Sequence, residues 1–328
     1  MATGALAYLG ISRQNSFGTA TNTWNWTPFV SETLAHRIDK LAMQGIRNSL
    51  VEMGALPGID RAEGDIVMEP DPCTFGYFLR GVLGVPSSTT INTAAGQYRH
   101  IFEMRFSDWT QKSPTPASTM AIWRGTEDVF EFTDVVFPRM TLNIEANALV
   151  RATFSAIGRT VSLTAQGSLS TTADFGKATD VPWTWAVASV SINSSAPEVY
   201  ESVQITVDNM LEGVIVLDAT RKYNKFGRRD RPTIRTSGRI DLENLNEYDR
   251  FAAQSQVPFS IYLTEQVPNS GSPTMLIEFP KFQYDEINAS VGGPGRVSAD
   301  WAGRAIFHTG SNTAMRITLT NTQANYLV

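Results

Sequence analysis

The sequence has 328 residues, of which 42% are hydrophobic and 18% are charged, and its formal net charge is −5. A chain of this length exceeds one ordinary core and fits two domains of about 150 residues each. The small negative charge excludes a protein that grips nucleic acid over its whole surface.

Residue types that support special chemistry are scarce. The single Cys73 excludes an internal disulfide, and His36, His100 and His308 lack the spacing of metal ligands. No apolar run approaches the ~18 residues of a membrane helix, and the first residues lack the features of a signal peptide. We therefore expect no metal, no cofactor, no membrane insertion, and a chain that is made and used in a soluble state.

Residues 1–30 are polar, glycine-rich and aromatic, without helical period or sustained alternation. This pattern predicts an N-terminal arm rather than a domain. Trp24 and Trp26 within it are unfavourable in water, so we expect them to dock on the chain's own body or on a neighbouring subunit.

A first domain is predicted over residues 31–164. A long connection between Ala42 and Pro57 contains Arg47 and precedes a strand at Gly64–Glu69. A helix follows, with Asp71 as its N-cap, Pro72 at its first position and its end at Gly84. Alternating segments after that helix predict further strands.

Two anchor segments of this domain return near the C-terminus. Phe137–Met140 resembles Phe279–Phe282 at an offset of 142 (279 − 137), and Ala156–Arg159 resembles Trp301–Arg304 at 145 (303 − 158). Their shared order predicts a duplicated unit. Along the first anchor, Met140, Leu142 and Ile144 alternate with polar residues, so one strand face is buried and the other is wet.

The remainder repeats the same order of elements. Residues 165–200, rich in Ser, Thr and Ala, predict a connector, and residues 201–328 a second domain with a C-terminal tail. Gly238–Glu243 matches Gly64–Glu69 at an offset of 174 (238 − 64), and a helix capped by Asn244 or Asn246 follows. The predicted fold is mainly β (α+β), with two tandem sandwich or half-barrel domains. Each has one flanking helix and a long protruding loop.

Catalytic motifs are lacking in the sequence. It contains neither a Gly-x-Ser-x-Gly elbow nor a phosphate-binding glycine loop. The acidic pairs Glu127–Asp128 and Asp285–Glu286 are the basis of a hydrolase hypothesis, because acid/base hydrolysis uses two carboxylates. Neighbours on a strand point to opposite faces, so solvated surface is the favoured interpretation and we expect no enzyme.

The most basic stretch lies in the second long connection, between Asp218 and Pro232. It leaves open two hypotheses: a nucleic-acid patch with Tyr223 and Phe226 as stacking platforms, or a loop that docks on an acidic partner surface such as that around Asp60, Glu63, Asp65 and Glu69. We favour docking, which fixes the register between subunits. The candidates for this docking contact are Arg47, Arg221, Lys222, Lys225, Arg228, Arg229 and Arg231.

The segment Gly10–Thr19, with Gln14 and the triplet Phe17–Gly18–Thr19, resembles the common start of the tail tube proteins of long-tailed, siphovirus-like bacteriophages. Gln14 stands where that family more often has Glu. The order of strand, long loop, strand, capped helix and sheet is similar to their tube domain over nearly the whole chain.

This resemblance implies a structural virion protein, assembled in the host cytoplasm, whose rings stack into a hollow tube that conducts DNA without specific binding. Two tube domains in one chain then imply a pseudo-hexameric ring of three chains. In such a tube Asn143, Glu145 and Asp285 are the lumen candidates, and the docking candidates named above become the ring-stacking candidates. The family also implies a tape measure protein, a tail terminator and tail-tip proteins as partners. The alternative is a β-sandwich carbohydrate-binding module or tail adhesin, suggested by the seven tryptophans.

Overall fold

The structure is a computed structural model that describes residues 4–45, 51, 54–93, 96–104, 112–125, 128–165, 181–197, 199–242, 244–264, 273–289 and 296–326. The first half contains β1 (Tyr8–Arg13), β2 (Asn25–Thr27), β3 (Ser31–Glu32), β4 (Ala35–Ala42), β5 (Ala55–Met68), α1 (Phe75–Leu83), β6 (Ser87–Asn92), β7 (Gln97–Glu103), β8 (Ser118–Trp123), β9 (Asp128–Glu145), β10 (Arg151–Gly158) and β11 (Thr160–Ala165). The second half contains β12 (Ala188–Ile192), β13 (Tyr200–Asp208), β14 (Leu211–Val214), β15 (Lys225–Arg228), β16 (Thr233–Asp241), α2 (Asn246–Ala252), β17 (Val257–Leu263), β18 (Thr274–Ala289), β19 (Ser298–Ala305) and β20 (Arg316–Asn321). The prediction of a mainly β fold is confirmed.

The same order of strand pairing occurs twice. In the first half β4 pairs with β5, β5 with β10, β10 with β9, β9 with β8 and β8 with β1. In the second half β13 pairs with β16, β16 with β19, β19 with β18, β18 with β17 and β17 with β12. All these pairs are antiparallel. In each half the helix lies, in sequence, after the second strand of this series and before the fifth. Helix α1 thus lies between β5 and β8, and α2 between β16 and β17.

Local contacts also repeat at the predicted offset of 174. A Cβ added to Gly64 would lie 2.4 Å from the carbonyl oxygen of Thr33, and one added to Gly238 would lie 2.0 Å from that of Ser202. The Thr33 hydroxyl accepts a hydrogen bond from the backbone of Asp65 at 2.9 Å, as the Ser202 hydroxyl does from Arg239 at 3.1 Å. Glycine is required at both positions because the neighbouring backbone leaves no room for a side chain.

The Phe-Pro anchor does not occupy equivalent positions. Arg139 lies opposite Ser155, and the residue that matches Ser155 at the offset of 145 is Asp300. Asp300 lies opposite Asn288, whereas the carbonyl of Lys281 accepts from the backbone N–H of Ile306. The structural counterpart of Arg139 is therefore Asn288, which lies seven residues beyond Lys281 (288 − 281). The predicted offset of 142 along this strand is wrong.

One continuous sheet joins the two halves. The C-terminal part of β9 pairs with β10 on one side and with β13 on the other, over Arg139–Glu145. Hairpin β6–β7, which follows α1 and has no counterpart after α2, pairs with β20. The two halves are thus linked by two strand junctions.

The C-terminal segment closes over α1. The fully buried Tyr326 donates from its hydroxyl to the Cys73 carbonyl at 2.9 Å, and its own carbonyl accepts from Arg80 at 2.9 Å. Burial lowers the pKa of Arg80 to about 10. The α1 helix begins at Phe75 with Thr74 at the N-cap position, so the predicted start at Pro72 behind an Asp71 N-cap is wrong, because residues 72–74 form a turn. The Asp71 carboxylate instead accepts hydrogen bonds from the backbone of Cys73 and Thr74 within this turn.

Two predicted non-domain segments contribute strands. Residues 8–13 form β1, which runs antiparallel to β8 over six residue pairs, so this part of the expected arm belongs to the sheet. Residues 188–192 of the expected connector form β12 beside β17. Strand β1 was missed because Leu9–Ser12 are buried on both faces and show no alternation. Strand β12 does alternate, with Ala188, Val190 and Ile192 separated by serines, and was missed because it lies within a stretch rich in Ser, Thr and Ala.

Candidate functional site

The Gly10–Thr19 segment forms hydrogen bonds to a β-bulge in β9. A β-bulge places Asp134 in left-handed backbone conformation, with φ of 57°, where it is fully buried. The Gln14 amide nitrogen donates to the Asp134 carboxylate at 3.1 Å, and the Gln14 oxygen accepts from the Asp134 backbone at 3.0 Å. Gly18 donates to the same carboxylate at 2.7 Å, and Arg159 lies 3.6 Å from its other oxygen. Burial raises the pKa of Asp134.

An amide fits this position better than a carboxylate would. Gln14 both donates to Asp134 and accepts from it, whereas an ionised Glu can only accept. The departure from the expected Glu is therefore explained by the buried carboxylate opposite.

The tryptophans expected to dock the arm lie against the chain's own sheet. Trp26 is buried with Ala121 and Val129, and Trp24 is half-buried beside it at a ring-centroid distance of 6.1 Å. Tyr8 of β1 packs edge-on against Trp26 at 4.8 Å. These aromatic rings hold β1 and β2 on β8.

The basic connection is largely a folded hairpin. Tyr223 and Phe226 are buried in a cluster with Val136 and Leu211, so the interpretation of these rings as stacking platforms for nucleic acid is wrong. The backbone carbonyl of Arg221 accepts from Asp60, and that of Tyr223 from the Arg159 side chain. Hairpin β14–β15 is thereby fixed on the first half of the chain.

The cations predicted to stack one ring on the next lie in and beside this hairpin, apart from Arg47. Four of these residues are exposed, namely Arg221, Lys225, Arg229 and Arg231. Lys222 and Arg228 are half-buried, and burial lowers the pKa of Arg228. Arg47 lies outside the described residues. No acid of the Asp60–Glu69 group forms an ion pair with these cations in the described part of the chain, where Asp60 instead pairs with His36 at 2.6 Å.

The lumen candidates Asn143 and Glu145 lie on the polar face of the sheet. Asn143 lies between Arg151 of β10 and Gln204 of β13, and its side chain accepts from Gln204 at 2.8 Å. Glu145 is exposed at the end of β9. Two residues before Asn143 on β9, a row of neighbouring residues crosses five strands. It consists of Thr153, Thr141, Thr206, Arg235 and Arg304.

The third lumen candidate, Asp285, lies in β18 of the second half, away from Asn143 and Glu145 in β9. It is the extra residue of a β-bulge between Tyr284 and Glu286, so both acids of this pair are exposed instead of facing opposite ways. Its carboxylate lies 3.1 Å from Arg304. Of the other acidic pair, Glu127 lies outside the described residues.

Arginines on the polar face are paired with carboxylates. Their partners and distances are Arg139 with Asp208 at 2.7 Å, Arg151 with Glu69 at 3.7 Å, Arg239 with Glu201 at 3.7 Å and Arg304 with Asp285 at 3.1 Å. A paired arginine offers little net charge to a phosphate. The face is therefore polar and close to electrically neutral at these points.

Strand β4 is exposed along almost its whole length. Within the described residues it pairs with β5 alone, and all its side chains from His36 to Ala42 are exposed. Its counterpart in the pairing order, β13, is covered by β9 and has Val203, Ile205 and Val207 buried. The sequence did not reveal this edge, because a strand exposed on both faces has no hydrophobic period.

The described residues hold no cluster of His, Cys, Asp and Glu suited to a metal ion. No described helix is long and apolar enough to cross a membrane. Among the described tryptophans only Trp185 is exposed, so these tryptophans offer little surface for a sugar.

Comparison with known proteins identifies the family. A family model described as phage tail tube protein matches residues 4–305. The chain belongs to the phage tail tube protein family. As a phage tail tube protein it is a structural component of the virion, built into the tail tube with other tail proteins. No curated protein matches the sequence.

Proposed function

We propose that three copies of this tail tube protein close into a ring of six similar units, and that stacked rings form the hollow tube through which the genome passes. Each half of the chain, from β1 to β11 and from β12 to β20, supplies one tube domain. The observation that carries the proposal is the repeated order of strand pairing, with its first strand, β4, left open.

The internal junction provides the pattern for ring closure. Within the chain, β13 of the second unit adds to the C-terminal part of β9 in the first. In the repeated order β4 corresponds to β13, and β18 corresponds to β9. The edge of β18 opposite β19, near Asn288 and Ala289, would then receive β4 of the next chain.

Free backbone groups support this arrangement. An exposed edge strand presents unpaired N–H and C=O groups, and an added strand satisfies them. Ile38 and Leu41 of β4 are 48% and 59% exposed, which is unfavourable for an isolated chain. Ring closure would cover both the backbone edge and these side chains.

The polar sheet face suits a passage for DNA. Each unpaired cation that meets a phosphate releases counterions and strengthens binding, so a lumen rich in free arginine would retain the genome. Pairing Arg139, Arg151, Arg239 and Arg304 with acids reduces this attraction. Asn143 and Glu145 lie on this face and remain our lumen candidates, whereas Asp285 acts as the partner of Arg304.

Assembly would take place in the host cytoplasm, with the tape measure, terminator and tail-tip proteins as partners. Negative-stain microscopy of the purified chain tests the proposal. We expect rings or hollow tubes. A population of monodisperse single chains at every concentration would refute it.

A further inference from the structure

An apolar tip ends the β14–β15 hairpin. Ile215 and Val216 are 62% and 41% exposed, and Leu217 is fully exposed. Three consecutive exposed aliphatic residues are costly in water unless another surface covers them. The buried Tyr223 and Phe226 hold the hairpin on the sheet, so the tip projects from a fixed base.

An open groove lies at the other end of the same wall. It has a volume of about 370 Å³ and is formed by the end of β9, the start of β13 and the segment around β12. Apolar side chains in its lining include Ile144, Trp185, Val190 and Pro197. Trp185 is 45% exposed there.

Tip and groove cannot meet within one chain. Strand β13 begins at the groove, near Ser202, and ends at Asp208, just before the hairpin. Six residues of extended strand separate these ends by roughly 20 Å. A contact between them must therefore join two copies head to tail, and such a contact repeats without closing on itself.

Charge favours the same contact. Residues 211–231 carry six basic and three acidic side chains, a net charge of +3. Of the two acidic residues that line the groove, Glu201 is paired with Arg239 and Arg296, whereas Glu145 is exposed and forms no ion pair with a described residue. Complementary charge of this kind orients two surfaces as they approach.

We propose that the tip Ile215–Leu217 of one chain inserts into the Trp185 groove of a chain in the next ring. The occupant is a second copy of this protein, and the inference rests on the proposed tube function. The apolar tip makes the principal contact, and the surrounding cations, including Arg221 and Lys225, steer it towards Glu145 at the edge of the groove.

Two single variants and a matched control test the contact. Leu217→Asp and Trp185→Ala change exposed side chains, and Leu245→Asp makes the same change at another site that is 60% exposed. We expect the first two to form rings but to raise the critical concentration for tube growth at least tenfold, which corresponds to about 1.4 kcal/mol. Leu245→Asp should grow tubes like the wild type. Normal growth by Leu217→Asp would overturn the proposal.

A disulfide identifies the receptor surface directly. In a Cys73→Ser background, Leu217→Cys combined with Ala186→Cys should give a ladder of linked chains when tubes are oxidised, and each single cysteine should give none. Tubes that grow normally but yield no ladder would refute the groove as receptor. If the wild-type chain forms no rings, the tube function itself fails, which is a separate result.

Discussion

Replacing Gln14 by Glu tests the buried contact that fixes the N-terminal segment on β9. The Gln14 amide donates to the Asp134 carboxylate at 3.1 Å and accepts from its backbone at 3.0 Å, and the two side chains are 8% and 0% exposed. Gln14→Glu keeps the shape of the side chain but removes the donor. Two carboxylates would then face each other in a site that already raises the pKa of Asp134 by burial.

The size of the effect follows from the distance. Two unit charges 3.1 Å apart repel by about 5 kcal/mol at an effective dielectric constant of about 20. Protonation of one of the two carboxyls removes this repulsion. For a carboxyl whose ordinary pKa is near 4, protonation costs about 5 kcal/mol at pH 8 and about 1.4 kcal/mol at pH 5. Arg159, 3.6 Å away, offsets part of the repulsion. We expect Gln14→Glu to destabilise the chain by about 4 kcal/mol at pH 8 and by about 1 kcal/mol at pH 5.

The sign of the pH dependence is fixed by linkage. The raised carboxyl pKa means that the folded variant binds more protons than the unfolded chain between pH 5 and pH 8, so its stability falls as pH rises. Urea unfolding of wild type and variant at both pH values measures the difference. The exposed Gln204→Glu is the control and should change stability by less than about 0.5 kcal/mol. Equal destabilisation at pH 5 and pH 8 would refute the reasoning.

Three further predictions concern packing and charge. Tyr326→Ala should cost about 3–5 kcal/mol in urea unfolding, because it empties the fully buried site over α1; Tyr248→Ala, 45% exposed, is the control, and equal losses would count against the C-terminal closure. Gly238→Ala should destabilise by about 1–3 kcal/mol or more, since its Cβ would lie 2.0 Å from a carbonyl oxygen. Gly227→Ala, with its nearest atom at 3.4 Å, should be nearly neutral, and similar losses would contradict the close approach. Asp208→Asn frees an arginine on the polar face, so rings should bind a short DNA duplex more tightly, with a salt slope steeper by about one; unchanged binding in a fluorescence anisotropy titration would argue against that face as the DNA path.

The sequence predicted the parts of the fold whose two faces differ. Strands β9, β13 and β17 alternate between buried and exposed residues, so the local pattern was sufficient to predict them. The existence of α1 and its end at Gly84 also followed from the apolar run, although its first residue is Phe75 and not Pro72. Strand β20 also alternates and was detectable by the same criterion. Strand β4 was not, because both its faces are exposed in the single chain.

The candidate site was only partly accessible from sequence. Wet-face residues such as Asn143 follow from alternation, but the ion pair between Arg139 and Asp208 depends on register across two strands 69 residues apart in sequence. The basic stretch drew attention to its charge, whereas burial of Tyr223 and Phe226 depends on long-range packing that no local pattern encodes. The Phe-Pro anchor misled because similarity over a few residues does not report which residues lie opposite each other on neighbouring strands, and that register is set by long-range pairing.

The number of chains in one ring tests the central claim most directly. Native mass measurement of isolated rings should give three chains, because each chain supplies two units with the same order of strand pairing. A mass of six chains would contradict the account, since one chain would then contribute a single unit to the wall.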